Sequence, residues 1–123
     1  MSEVSGANLN VRYITTPGIY VVRDSDDVIN CDTTNGVIAL QLQNIKQSGL
    51  LLNLRTVFIN DIGGNVSANN IVIQTTGTDT VNGLSSVSIS VNNGALAFDV
   101  AGNTEWIAVG NGIPSGGRGG IPP

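Results

Sequence analysis

Catalytic chemistry needs side chains that hold or move protons, attack as nucleophiles or bind metal, and this sequence offers few. The 123 residues contain no histidine, which removes the commonest general base and metal ligand. Cys31 is the only cysteine, so neither a disulfide framework within the chain nor a cysteine-based metal site is expected, and it reads as a small buried strand residue. No GxSxG elbow positions any of the serines as a nucleophile.

The one local cluster of carboxylates is Asp24-Ser25-Asp26-Asp27. Its spacing partly matches the start of a calcium loop, but the glycine at the sixth position and the acid at the twelfth are missing, so a solvated turn is expected. A polysaccharide hydrolase would need two of Asp24, Asp27, Asp61, Asp79, Asp99 and Glu105 to face each other across a cleft. The glycine-rich run ending in Gly116-Gly117-Arg118 lacks the Walker lysine and any strand-loop-helix context, so Arg118 is expected to serve in docking and not in a phosphate cradle. Asn65-Val66-Ser67 is a glycosylation sequon, but no secretory signal is expected at the polar start of the sequence, so no modification is expected there. Trp106, the sole tryptophan, is expected to be a core or interface anchor before a platform for a sugar ring. No catalytic residue, metal site or cofactor is expected.

The elements around these residues are strands. Apolar residues alternate with polar ones in short runs, each closed by Gly, Asn, Asp, Ser or Pro. Ile19 and Val21 alternate with Tyr20 and Val22. Ile38, Leu40 and Leu42 fall on one face of the next run, after the Asn35-Gly36 turn. Residues 50–60 form the most apolar stretch and end as a central strand, with Val57 and Ile59 on one side and Phe58 on the other. Ile71 and Ile73 share a face. Val87 and Ile89 lead through Asn92-Asn93-Gly94 to Leu96, Phe98 and Val100, which reads as a hairpin. A turn at Ala101-Gly102-Asn103 then leads into the strand carrying Trp106.

The fold class read from this pattern is all-β: an antiparallel β-sandwich or jelly-roll-like domain of roughly eight to ten strands. Residues 10–110 form that domain, residues 1–9 a flexible N-terminal segment, and residues 111–123 a Gly/Pro-rich flexible tail. No repeat of fixed period marks a solenoid or propeller. One core suits this length, built from aliphatic residues because only Phe58, Phe98, Tyr13, Tyr20 and Trp106 are aromatic.

Nine acidic and five basic residues give a net charge of −4 with no basic cluster, so no nucleic-acid partner is expected. No run approaches the ~18 to 20 apolar residues of a membrane span, and no membrane insertion is expected.

Between Asn60 and Val109 the order of turns and strands resembles small β-domains of phage and other virus structural proteins. The matching residues are Asp61, Gly64, Asn65, Asn70, Ile71, Ile73, Val81, Gly83, Gly102 and Trp106. Tyr20-Val21-Val22 and Ile38 to Leu42 stand where that family places its opening strands. Asn60 departs from a frequent lysine, and Val81-Asn82-Gly83 from the usual Ile-Asp-Gly. The resemblance implies a tail fibre, head fibre or capsid decoration at the virion surface, assembled as a homotrimer that contacts capsid or tail proteins.

The residues themselves also favour self-association, because strands apolar on both faces leave one face that a single thin sandwich does not cover. Tyr20, Phe58 and Trp106 are the candidate core or interface anchors. Asp61, Asn65, Asn69, Asn70, Asp79 and Asn82 are the candidate loop contacts to a host glycan, a host protein or a neighbouring capsid protein. The alternative is a lectin-like module holding a sugar with loop amides and Trp106 or Tyr20. An aromatic ring exposed in a concave patch separates that reading from the first.

Overall fold

A computed structural model describes residues 9–48 and 56–113. Of the expected flexible segments 1–9 and 111–123, residues 1–8 and 114–123, Arg118 included, lie outside the described residues, as does the first part of the apolar run at 50–55.

The described residues form an all-β fold, with ten strands among them in two facing sheets. In chain order they are β1 (Val11–Ile14), β2 (Gly18–Val21), β3 (Val28–Cys31), β4 (Ile38–Gln41), β5 (Val57–Asp61), β6 (Ile71–Gln74), β7 (Thr80–Val81), β8 (Ser86–Ile89), β9 (Ala95–Val100) and β10 (Glu105–Gly110). One four-residue helix, α1 (Ile45–Ser48), follows β4. The six-stranded sheet has the order β1-β3-β5-β9-β10-β7, and the four-stranded sheet β2-β4-β6-β8.

The expected antiparallel arrangement is corrected in detail. Five of the described pairings are parallel (β1 with β3, β3 with β5, β2 with β4, β4 with β6, β7 with β10) and three are antiparallel. Up to β6, successive strands alternate between the sheets, so each passage out along one sheet and back along the other makes one coil. Each new coil stacks in parallel on the one before. A parallel pair needs a crossover connection, commonly helical; here the crossover is a strand of the opposite sheet. This is a coiled sandwich and not a jelly roll. Alternation of apolar residues identifies a strand and its faces, but the route of the connection decides its direction.

The same reasoning corrects the expected hairpin at Asn92-Asn93-Gly94. β8 lies in the four-stranded sheet and β9 in the six-stranded one, so this turn passes the chain between layers. The turn at 101–104 does close a hairpin, with Trp106 opposite Val100 and Ala108 opposite Phe98.

Parallel stacking aligns like side chains between the layers. Ile29, Ile59 and Leu96 form one buried row of the six-stranded sheet. Ile38, Ile71 and Ile89 form one row of the facing sheet, and Leu40, Ile73 and Val87 the next. Phe98 and Trp106 fill the space between, with Ala108 leaving room beside Phe98. β-Branched side chains suit this thin interior because their restricted rotamers lose little freedom on a pleated surface.

Gly110, the last residue of β10, shows how closely the sheet packs. Its φ is +148°, and a β-carbon there would stand 2.2 Å from the carbonyl oxygen of Ala95. Gly110→Ala is expected to cost about 2–3 kcal/mol through strain and backbone displacement, read as a lower midpoint in urea unfolding. An unchanged midpoint would contradict this packing.

Candidate functional site

The expected anchors separate into different environments. Trp106 is 2% exposed and lies inside the sandwich. Tyr20 is half-buried against the core; its hydroxyl donates to the carbonyl oxygen of Thr16 at 2.6 Å, and the Arg12 guanidinium lies 5.7 Å from its ring centre. Phe58 points outward from β5 and is 46% exposed.

The expected loop contacts are tied into the fold. Asp61 is buried; its Oδ1 accepts from the backbone N–H groups of Gly63 and Gly64 at 3.0 Å each, and its Oδ2 from that of Asn93 at 2.8 Å. Asn65 donates to the Thr34 hydroxyl at 2.7 Å and to the Gly63 carbonyl at 3.0 Å. Asn69 donates to the carbonyl of Thr33, and Asn70 to that of Val66. These bonds knit the β3–β4 and β5–β6 connections into one end of the sandwich. In the same end, Asp32 Oδ1 accepts from the hydroxyl and the backbone N–H of Thr34, which holds its carboxyl below the ordinary range.

Asp79, buried near the opposite end, accepts from the N–H of Ile45 at 2.9 Å and so caps α1. Asn82 has φ +51° and uses its amide as a strand would use its backbone. It accepts from Ala108 N–H at 2.9 Å and donates to Ala108 C=O at 3.0 Å, extending the edge beyond β7. A carboxylate at this position would meet the Ala108 carbonyl without a hydrogen to give.

Other acidic groups are also engaged within the fold. Asp26 binds Arg12 at 3.0 Å and the Arg23 N–H at 2.8 Å. Asp27 accepts from Asn10 N–H at 2.9 Å, and Asp99 accepts from the Thr56 hydroxyl. Among the described residues no three His, Cys, Asp or Glu side chains gather to hold a metal ion.

Cys31 is fully buried, and burial pushes its thiol up to about 12, with Arg12 opposing and Asp61 adding to the rise. The thiol of the folded chain is therefore expected to resist a disulfide reagent at pH 8 and to react at once in denaturant. Rapid labelling without denaturant would contradict its burial. Because the unfolded thiol ionises near 9 and the folded one near 12, this group's contribution to stability falls as pH rises above about 9.

Both sheets leave apolar side chains open on their outer faces. On the outer face of the six-stranded sheet, register places Val11, Val28, Phe58, Ala97 and Val109 side by side across five strands. Phe58, Val11 and Val109 are exposed, as is Ile107 two residues before Val109. The next row holds Tyr13, Asn30, Asn60 and Ala95, with Asn60 donating to Asn30 at 2.9 Å. Tyr13 is 67% exposed.

The outer face of the four-stranded sheet is apolar along β2, where Ile19 is 74% exposed and Val21 is open beside it. Across the strands it becomes polar, from Ile19 through Ala39 and Val72 to Ser88. Of these residues the sequence reading singled out only Phe58 as an anchor. The signal for the rest was apolar character at both parities of a strand, which gains a location only once register is known.

A depression lined by Leu9, Asn10, Val11, Arg12, Arg23, Ser25 and Asp26 has no aromatic wall. The sequence matches no family model and no curated protein.

Proposed function

We propose that this chain is a non-enzymatic structural protein of a virus particle: a self-associating, trimeric fibre head, spike or capsid-decoration module displayed on the virion surface. The observation that carries this reading is the unbroken apolar row from Val11 to Val109 on an outward sheet face. Exposed apolar surface of this extent marks an interaction site, and covering it with sister chains also shields neighbouring strand edges from open-ended pairing. The likeness of the Asn60–Val109 region to virus structural domains supplies the setting.

The sugar-binding reading is weaker. Trp106 is enclosed and Tyr20 half-enclosed, so neither presents an open ring for stacking. Tyr13 is open but stands on the outer face of a sheet, beside Asn30, and does not line the depression above.

Antibodies against the folded chain test the setting. They are expected to label the outside of intact particles of the virus whose genome encodes it, seen by immunogold electron microscopy. Unlabelled particles with the protein confined to infected-cell lysate would overturn the proposal.

A further inference from the structure

From the two outward faces we infer that copies of this chain join head to tail, the six-stranded face of one copy packing on the β2 side of the four-stranded face of the next. This rests on the self-associating reading above and specifies its contact.

Coverage argues for two different faces in one contact. Val11, Tyr13, Phe58, Ile107 and Val109 leave on the order of 500 Å² open on the first face, at the upper end of what a monomer's surface normally shows. Ile19, Val21 and Val37 leave roughly 300 Å² open on the second. A two-fold dimer using either face on itself covers that face and leaves the other open. A subunit that uses both faces, one toward each neighbour, leaves neither open. Contacts between unlike faces close into a ring where the rotation between copies permits it and otherwise run on as open filaments, and three copies make the smallest ring beyond a pair.

Charge selects the second copy as occupant. A chain of net charge −4 repels itself least across uncharged surfaces. The outward positions of the four-stranded sheet, from Ile19 and Val21 on β2 to Ser86 and Ser88 on β8, carry no charged residue. On the six-stranded face the acidic residues keep to one end, Asp99 opposite Ile107 in the row next to Val11–Val109 and Glu105 beyond it, and Asp99 is already hydrogen-bonded to Thr56.

Complementary variants of the full chain, followed by sedimentation velocity, test this. Phe58→Glu disables the first face and Ile19→Glu the second. Each variant alone is expected to lose the oligomer and sediment as a folded monomer by circular dichroism. Mixed at high concentration, the two are expected to form a 1:1 complex, because one intact face of each kind remains. If Phe58→Glu unfolds the chain, Val109→Glu disables the same face from β10.

An Ile19→Glu chain that still dimerises alone, or a mixture that stays monomeric, would overturn the head-to-tail contact. Variants that remain oligomeric like the unaltered chain would overturn this seam while leaving self-association standing. A monomeric unaltered chain would overturn both.

Discussion

Asp61→Ala is expected to lower the melting temperature by more than about 10 °C, the largest effect of any single polar substitution in this chain. The buried carboxylate gathers three backbone N–H groups, two from the turn that leaves β5 and one from the turn that enters β9. Hydrogen bonds to an ionised acceptor are roughly twice as strong as neutral ones. Alanine removes the acceptor and leaves partly buried donors unmet, for a cost of about 3–5 kcal/mol.

Position explains why one side chain matters so much. The Asn92-Asn93-Gly94 turn carries the chain between layers, and Asn93 takes a positive φ of 63° to do so. Asp61 fixes this turn against the end of β5, where Asp61 N–H also donates to Gly94 C=O at 2.9 Å. Asp61→Asn keeps one acceptor oxygen and turns an amide nitrogen toward the other donors, so it is expected to fall between wild type and alanine. Differential scanning calorimetry checks both; a shift of only a degree or two for alanine would mean that the junction holds without the carboxylate.

Phe98→Ala is expected to cost about 3–5 kcal/mol in denaturant unfolding, the usual range for emptying a phenylalanine site in a packed core. Phe98 is fully buried at the centre of the six-stranded sheet, paired with Val57 on one side and Ala108 on the other. Its neighbours Leu96, Ile59 and Trp106 sit on strands fixed by backbone ladders, so they move little to fill the gap. Phe98→Leu, which retains most of the volume, is expected to cost about 1–1.5 kcal/mol. Equal losses for the two variants would indicate that the site collapses freely.

The sequence made the strands legible, and most of the inward faces with them, because a period of two is a local property. Val57 and Ile59 inward with Phe58 outward, Ile71 with Ile73, and Val87 with Ile89 all lie as the alternation implies. Strand direction was not legible, since it depends on where the chain goes between strands. The coil itself was hidden for a related reason. Its stacked partners Val11, Val28 and Phe58 are unevenly spaced, because the connection bearing α1 is inserted between β4 and β5, so no fixed period appears.

The candidate contact loops show a different limit. Asp61, Asn65, Asn69, Asn70, Asp79 and Asn82 are residues whose short polar side chains bond nearby backbone, a property as useful for closing turns as for holding a partner. The hydrogen bonds described above employ each of them within the fold. The apolar outward row, in contrast, has no sequence motif, since its members come from five strands spread between Val11 and Val109.

Edge strands give the outward faces a further role. Among the described residues β1 and β2 make the first coil, each pairs on one side only, and each is four residues long. Exposed apolar residues concentrate here, at Leu9, Val11, Tyr13, Ile19 and Val21. An isolated subunit therefore presents greasy side chains beside unpaired backbone, a combination that invites uncontrolled association. A closed assembly that covers both faces limits that hazard.

Sedimentation equilibrium of the unaltered full chain, over a hundredfold range of concentration, tests most directly whether sister copies cover these faces. The expected result is a single species of three times the 12.7 kDa chain mass, stable to dilution. A single-chain mass throughout that range would contradict it.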